Sequence, residues 1–318
     1  MEKENKDPYA EIREIFNNFF KLRPVAEGFR SHPPHHGGAF NPTRLFGGQA
    51  TAQAYLAATK IRQGFVPLRM SSTFLRPGVV QDPYDYVPSH ASFGSYHLGL
   101  DCVQNGKVMN SVHFRMTSSK FFRREASQPI SFINTTNIPC PLSVPECSPF
   151  LATVVMDQWL ERHGFQPQFK KFNFARGSIF EMRLIRFFDF KVSKSQTTLL
   201  WMRLSKTVRE FPVPTKMMIP LVFSDFIIGL PIDTIADASP GEKLGVMSSM
   251  EHQVVFHSDE FDPTDFFLIE QMIEFATDMV KIQGKIATKE GKPVLSFTQQ
   301  AFFQDLIPNE PLKSVPRL

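Results

Sequence analysis

Three polar residues in the second half of the chain could together activate a water molecule: Asp225, Ser249 and Gln299. An ionised aspartate near an apolar cavity can take a proton from water and so prepare it for attack on a carbonyl carbon. The hydroxyl of Ser249 and the amide of Gln299 would hold that water by hydrogen bonds. Alternation along Leu295, Phe297 and Gln299 places this amide on an apolar face, where leaving it unpaired would cost roughly 1 to 3 kcal/mol. The sequence therefore predicts that Gln299 has polar partners inside the fold.

An internal repeat draws attention to these residues. Gly99 and Gly106 are seven positions apart, as are Gly284 and Gly291, and in both copies a lysine and an apolar strand follow the second glycine. This spacing predicts that the last two strands of the two halves align without a gap. An asymmetric duplication usually leaves one working site, so residues that are polar in one copy only are the candidates. The equivalent positions are Gly48 for Asp225, Pro67 for Ser249 and Phe114 for Gln299.

Asp225 is predicted at the N-terminal end of a second central helix, with Ser224 as a possible cap. The helix dipole would favour the carboxylate form and burial would disfavour it, so the sequence leaves the ionisation of Asp225 open. Backbone N–H groups at a helix start could stabilise the oxyanion that forms when water attacks a carbonyl.

The first half is organised around a predicted helix between Arg44 and Lys60. Its Gly47-Gly48 pair is interpreted as a packing device, because it lets another backbone lie close to the helix start. Small alanines on most sides of the helix indicate that the rest of the fold encloses it. Runs rich in strand-forming residues follow around 70–75, 95–102 and 108–116. A helix followed by a curled antiparallel meander is the hot-dog arrangement.

The chain also carries several motifs in the order found in a known family. RLFGGQ at 44–49 is followed by FLRPG at 74–78 and by a strand pair joined at 104–107. Together they resemble the first half of the acyl-CoA thioesterase II family, and the resemblance covers most of the chain except 118–173. It implies an α+β double hot-dog fold, in which two antiparallel sheets each wrap around a central helix. It also implies hydrolysis of fatty acyl-CoA to free fatty acid and coenzyme A, with no metal or redox cofactor.

The resemblance points to the same three residues. In the family, an aspartate in an SD dipeptide, a Thr or Ser on the next strand and a glutamine near the C-terminus orient the catalytic water, without a covalent intermediate. Here these match Asp225 in FSDF, Ser249 in SSMEH and Gln299 in SFTQQ. Two alternatives stay open. The trio could be only a buried hydrogen-bond cluster, and the chain could be a paralogue that binds acyl-CoA or another lipid without turnover, since it has Gln299-Gln300-Ala301 where the family usually has QEG.

Length and composition fit two domains. The chain has 318 residues, of which 42% are hydrophobic and 33 are Phe, which is enough for two ordinary cores. We predict an N-terminal hot-dog domain at 1–118, a proline-punctuated linker at 119–173 and a C-terminal hot-dog domain carrying the site at 174–318. An amphipathic helix between Pro8 and Leu22 is expected to pack on the body.

The expected partner is an acyl-CoA substrate. A net charge of +4 is too small and too dispersed to indicate nucleic acid. Polar residues and prolines interrupt the most apolar window, 217–232, so we expect no membrane span and a soluble protein. Pairing of sheets between copies would allow a homo-oligomer. The three cysteines form no CxxC pair, and Pro316-Arg317-Leu318 is similar to a peroxisomal signal, so we predict a peroxisomal location with the cytosol as the alternative.

Motifs for other reactions are missing from the sequence. It has no GxSxG elbow, no phosphate-binding GxxxxGKS or GxxxxGKT loop and no HExxH, which argues against serine hydrolases, nucleotide-binding enzymes and zinc proteases. His32, His35 and His36 lie in a segment rich in Pro and Gly that we interpret as a mobile loop rather than a metal site. His252 and His257 are interpreted as structural residues.

Overall fold

A computed structural model describes most of the chain, and its helices are few. Among the described residues, the α-helices are Ala10–Phe19 (α1), Gly47–Ile61 (α2) and Met218–Ser224 (α3), and a short 3-10 turn spans Pro141–Ser143. The described residues are 10–37, 43–89, 94, 96–120, 122, 133–146, 179–186, 195–226, 242–243, 247–276, 279–303 and 307–308.

Strands make up most of the regular structure. In the first half they are Leu22–Val25 (β1), Gly28–Ser31 (β2), Phe65–Phe74 (β3), Asp85–Pro88 (β4), His97–Gln104 (β5) and Lys107–Ser118 (β6). In the second half they are Phe180–Arg186 (β7), Ser195–Leu204 (β8), Glu242–Lys243 (β9), Met247–Phe256 (β10), Phe267–Ala276 (β11), Met279–Thr288 (β12), Pro293–Phe303 (β13) and Ile307–Pro308 (β14).

The two halves share one antiparallel sheet. Its strand order is β1-β2-β4-β5-β6-β3-β10-β13-β12-β11-β8-β7, while β9 and β14 form a separate two-stranded pair. Strands β3 and β10 meet at the centre, where Ser71 pairs with Gln253, and the strands on either side follow one another in the same order. An approximate two-fold axis therefore passes through this central pair. The sheets of two hot-dog units join here, which confirms the predicted double hot-dog α+β architecture.

Helix α2 is enclosed as the sequence predicts. All of its residues from Gly48 to Ala58 are buried. It packs against α3 and against the inner faces of β3, β5 and β6. The predicted amphipathic helix at the N-terminus is also confirmed, because α1 buries Phe16 and Phe19 in the same core. Gln53 of α2 donates to the carbonyl oxygen of Asn18 at 3.2 Å and so holds α1 in place.

Both halves carry a β-bulge at equivalent positions. The register shifts after Pro67 between β3 and β6, and after Ser249 between β10 and β13. The cross-strand pairs that follow are Met70–Phe114 in the first half and His252–Gln299 in the second. These matches confirm the predicted equivalence of Pro67 with Ser249 and of Phe114 with Gln299.

The sequence predicts that the last two strands of the first half, β5 and β6, align with those of the second half, β12 and β13, without a gap. This alignment is wrong by one residue for β5 and β12. Leu100 pairs with Val112 in the first half, and Gly284 pairs with Phe297 in the second. Because Val112 and Phe297 occupy equivalent positions on their strands, Gly284 takes the place of Leu100 rather than of Gly99. The hairpin between β12 and β13 is one residue longer than its counterpart, and the glycine spacing conceals this insertion.

The sequence-based domain boundaries at 118 and 173 stay predictions. Strand β6 ends at Ser118 and β7 begins at Phe180, while 147–178 lies outside the described residues. One buried hydrophobic cluster contains side chains from both halves. Among the residues that the structure describes, no helix has the length and apolar character needed to cross a membrane.

Phe256 tests the packing of the sheet on α2. Its ring centroid lies 5.3 Å from that of Tyr55, and the side chain is 1% exposed. Phe256→Ala should lower the free energy of unfolding by about 3 to 5 kcal/mol, because it removes a buried ring and leaves a cavity. Phe302→Ala on the neighbouring strand is the control. Because that side chain is 40% exposed, the substitution should lower the free energy of unfolding by about 0.5 kcal/mol or less. Urea unfolding measures both, and equal losses would contradict this packing.

Candidate active site

Asp225 lies where the second half meets the first. It directly follows Ser224, the last residue of α3, and has φ −96° and ψ 2°. The expected helix beginning at Asp225 would run into 227–241, which lies outside the described residues, so that expectation stays a prediction; Ser224 Oγ bonds back to the carbonyl oxygen of Leu221. Pro220 falls in the first turn of α3, where its missing N–H costs no hydrogen bond, so the run before Asp225 is itself helical. Asp225 nevertheless meets a helix start, that of α2.

The first half supplies a backbone donor to Asp225. The N–H of Gly48, in the first turn of α2, donates to the Asp225 carboxylate. A Cβ at position 47 would lie 2.8 Å from Asp225 Oδ2, and a Cβ at position 48 would lie 3.0 Å from the carbonyl oxygen of Val222. The approach is possible because Gly47 and Gly48 have no side chains, and the partial positive charge at the start of α2 faces the carboxylate. The glycine pair signals a close approach in the sequence, but nothing in the motif identifies Asp225 as the partner.

Gln299 joins Asp225 to Ser249. Its Nε2 donates to Asp225 Oδ1 at 2.5 Å and to Ser249 Oγ at 2.6 Å. Gln299 is 1% exposed and Asp225 is 7% exposed. The structure therefore brings the three sequence-predicted residues together. The NH2 group of the buried Gln299 has two partners, while Oε1 of the same amide has no hydrogen-bond partner among the described residues. Because Ser249 Oγ accepts a hydrogen bond from Gln299, the serine proton is left to donate elsewhere.

The β-bulge directs Ser249 toward this cluster. Side chains alternate along a regular strand, so Ser249 and His252, which are three residues apart, would otherwise point to opposite faces. Met250 is the extra residue of the bulge, since Ser249 and Glu251 pair with consecutive residues of β13. The bulge brings Ser249 back to the inner face and leaves Met250 43% exposed.

Burial makes the carboxyl of Asp225 a weaker acid than an exposed aspartate. Desolvation raises its pKa from 3.8 to about 7, and the hydrogen bonds from Gln299 and from the Gly48 N–H lower the pKa in part. The sequence leaves the balance between burial and helix dipole open, and in the fold burial dominates. A carboxyl with a pKa near 7 is populated in both forms at neutral pH, so it can take up and release a proton there.

The equivalent place in the first half lacks these groups. Pro67 and Phe114 occupy the positions of Ser249 and Gln299, and neither has a polar side chain. An apolar wall adjoins the second-half cluster, because the ring of Phe74 would lie 3.1 Å from a Cβ at position 47. The chain thus has one polar cluster of this kind in its described part, built from second-half side chains and a first-half backbone.

The histidine-rich segment is held by hydrogen bonds. His35 is 2% exposed, and its Nδ1 and Nε2 lie 3.2 Å from Gln49 Nε2 and 3.2 Å from Ser31 Oγ. Gln49 Oε1 also accepts from the backbone N–H of His36 at 2.7 Å. The segment is therefore fastened to the first turn of α2, which corrects its interpretation as a mobile loop. Within the described ranges no three His, Cys, Asp or Glu side chains are grouped as metal ligands.

The raised pKa of Asp225 links folding to pH. The folded state binds the proton more tightly than the unfolded state, so this contribution to stability is complete below pH of about 4 and is lost as pH rises to about 7. Asp225→Asn removes this dependence. We therefore expect the difference in melting temperature, Asp225→Asn minus wild type, to increase between pH of about 4 and about 7 and then to level off.

Thermal unfolding at a series of pH values makes this measurement. The control is Asp262→Asn, because hydrogen bonds from Thr264 lower the pKa of that exposed carboxyl, and no such gain should appear between pH of about 4 and 7. If wild type and Asp225→Asn ran in parallel over this range, Asp225 would not have the raised pKa.

Comparisons with known proteins find similarity at the level of structure. No protein-family model matches the chain, and no curated protein matches it in sequence. Many solved structures do match.

Three of these structures span nearly the whole chain. The tesB protein of Mycobacterium avium subsp. paratuberculosis is 18% identical with a TM-score of 0.63, and the match covers 92% of this chain and 98% of that one. Acyl-CoA thioesterase II of Mycobacterium marinum is 16% identical with a TM-score of 0.62, covering 91% and 98%. A hot-dog protein of unknown function from Alicyclobacillus acidocaldarius is 19% identical with a TM-score of 0.63, covering 91% and 97%. The chain therefore has the double hot-dog fold of the thioesterase II structures.

Proposed function

We propose that this chain is an acyl-CoA thioesterase that hydrolyses fatty acyl-CoA to free fatty acid and coenzyme A. The observation that carries the proposal is the buried Asp225 carboxylate, joined through Gln299 to Ser249 in one half only. The fold supports it, since structures similar to this chain include proteins named tesB and acyl-CoA thioesterase II. No metal or redox cofactor takes part.

Asp225 acts as the general base. In its ionised form it takes a proton from a water molecule, whose oxygen attacks the carbonyl carbon of the thioester. The tetrahedral intermediate then breaks the C–S bond, and the proton held by Asp225 passes to the sulfur of coenzyme A as it leaves. A pKa near 7 suits both steps, because the carboxyl must accept a proton and then return it.

Ser249 and Gln299 orient the attacking water and the Asp225 carboxylate in different ways. Both N–H groups of Gln299 are engaged, one by Asp225 and one by Ser249, so Gln299 holds these two side chains relative to each other. Ser249 keeps its own proton free and donates it to the attacking water. The Gln299 amide has no further N–H to offer, but its buried Oε1 has no partner among the described residues and can accept a hydrogen bond from the water, in line with the expectation that this amide holds the water.

Other sequence-based expectations belong to this proposal. The partner is an acyl-CoA, nucleic acid plays no part, and association with a second copy stays a prediction. The peroxisomal location also stays a prediction, since Pro316-Arg317-Leu318 lies outside the described residues.

Release of free thiol from short, medium and long acyl-CoAs tests the proposal. Asp225→Asn keeps the shape of the side chain but cannot accept the proton of water, so turnover should fall roughly a hundredfold or more at equal folded concentration. Asp262→Asn is the matched control, since that aspartate is exposed and its carboxylate accepts hydrogen bonds from nearby Thr264, and it should keep wild-type turnover.

Two outcomes would contradict the proposal. Wild-type protein that binds acyl-CoA but releases no thiol with any chain length would be a non-catalytic acyl-CoA or lipid-binding paralogue. Wild-type turnover that survives in Asp225→Asn would assign the base to another residue.

A further inference from the structure

His252 lies beside the candidate site without belonging to the predicted trio. It is the direct cross-strand partner of Gln299, so both side chains project from the same face of the sheet. Its side chain is 0% exposed, and its ring centroid lies 5.9 Å from that of Phe297. A fully buried histidine in an apolar core is unusual unless a specific hydrogen bond holds it.

That hydrogen bond connects His252 to Ser224. His252 Nε2 lies 3.2 Å from Ser224 Oγ, and Ser224 Oγ lies 2.7 Å from the carbonyl oxygen of Leu221. A serine hydroxyl has one proton, and the shorter contact shows that it goes to Leu221. The imidazole therefore donates its Nε2–H to Ser224. Among the described residues, its Nδ1 has no hydrogen-bond partner, so the contact with Ser224 is the polar link that His252 makes.

Two consecutive residues, Ser224 and Asp225, thus accept hydrogen bonds from two neighbouring strands. From β10, His252 donates to Ser224, and from β13, Gln299 donates to Asp225. Asp225 lies at the end of α3, where its N–H donates to the carbonyl oxygen of Val222 at 3.3 Å, and Gln271 Nε2 donates to the carbonyl oxygen of the next residue, Phe226, at 2.8 Å. The bond from His252 adds a side-chain contact at the residue immediately before Asp225, while Gln299 and the Gly48 N–H hold the carboxylate itself.

The asymmetry of the two halves separates this contact from ordinary packing. His252 is equivalent to Met70, because Met70 pairs with Phe114 as His252 pairs with Gln299. Ser224 is equivalent to Gly47 when Asp225 is aligned with Gly48. A histidine that served only to stabilise the fold would not need to occur in the same half as Asp225, Ser249 and Gln299. Both members of the contact instead occur only in the half that carries Asp225.

We propose that His252 is a positioning residue for the general base: it holds Ser224, and through Ser224 it sets the place of the Asp225 carboxylate. The proposal deepens the proposed function and rests on it. Burial lowers the pKa of His252 to about 3, so the imidazole is neutral at working pH and does not exchange protons with the substrate.

A double-mutant cycle on turnover tests the proposal. His252→Leu and Ser224→Ala each remove the same hydrogen bond, so each should lower kcat about tenfold to a hundredfold by misplacing the base, with KM nearly unchanged. The double variant should lose no more than either single variant. His252→Gln should recover most of the activity, because a glutamine amide can donate to Ser224 in place of Nε2–H. His113→Leu, at an exposed histidine of β6, is the control and should keep wild-type kcat.

Losses that multiply in the double variant would overturn the proposal, as would a His252→Gln variant no better than His252→Leu. Ser224→Ala is a small change that tests the same bond if His252→Leu does not fold. A second readout keeps the test independent of turnover. The readout is the pH midpoint of the change in melting temperature that depends on Asp225. This midpoint should shift by the same amount in Ser224→Ala and in the double variant His252→Gln/Ser224→Ala. An unchanged midpoint would overturn the proposal that His252 positions Asp225. If wild type releases no thiol, the proposed function fails, while this midpoint still decides whether His252 positions Asp225.

Discussion

The hydrogen bonds to the buried Asp225 carboxylate connect every part of the structure that the site needs. One donor is the Gly48 N–H at the start of α2, and the other is the amide of Gln299 on β13. Burial alone would make the charged form very costly, and these two donors offset part of that cost. The carboxyl consequently titrates near pH 7 rather than remaining permanently protonated. Moving either donor would change the group that we propose as the base.

The two-fold arrangement of hot-dog units explains how such a site can form. The first half has glycine at 47 and 48, which admits the end of α3 and presents a backbone donor at a helix start. The second half contributes the carboxylate, the serine and the glutamine. A single unit would supply either the carboxylate or the Gly48 N–H, so the site requires both halves in contact. Divergence of the equivalent positions leaves one polar cluster and one apolar counterpart.

Some of this structure could be predicted from the sequence because local patterns report it. The alanines of α2 indicate a helix enclosed on most sides, and comparison of the two halves of the sequence identifies Asp225, Ser249 and Gln299 as a group. The bulge at Met250 could not be predicted, because one strand does not reveal the register of its partner. The bond from Gly48 to Asp225 was also missed, since it joins residues far apart in the chain and depends on where α3 ends.

The pH dependence of kcat/KM for one acyl-CoA tests most directly whether Asp225 works as the general base. This parameter reports the ionisation of the free enzyme, so we expect it to rise about tenfold per pH unit below about 7 and to level off above. Gln299→Leu removes a donor that lowers the pKa of Asp225, and its inflection should therefore move to higher pH. A wild-type profile that stays flat between pH of about 5 and 8 would contradict a base with this pKa.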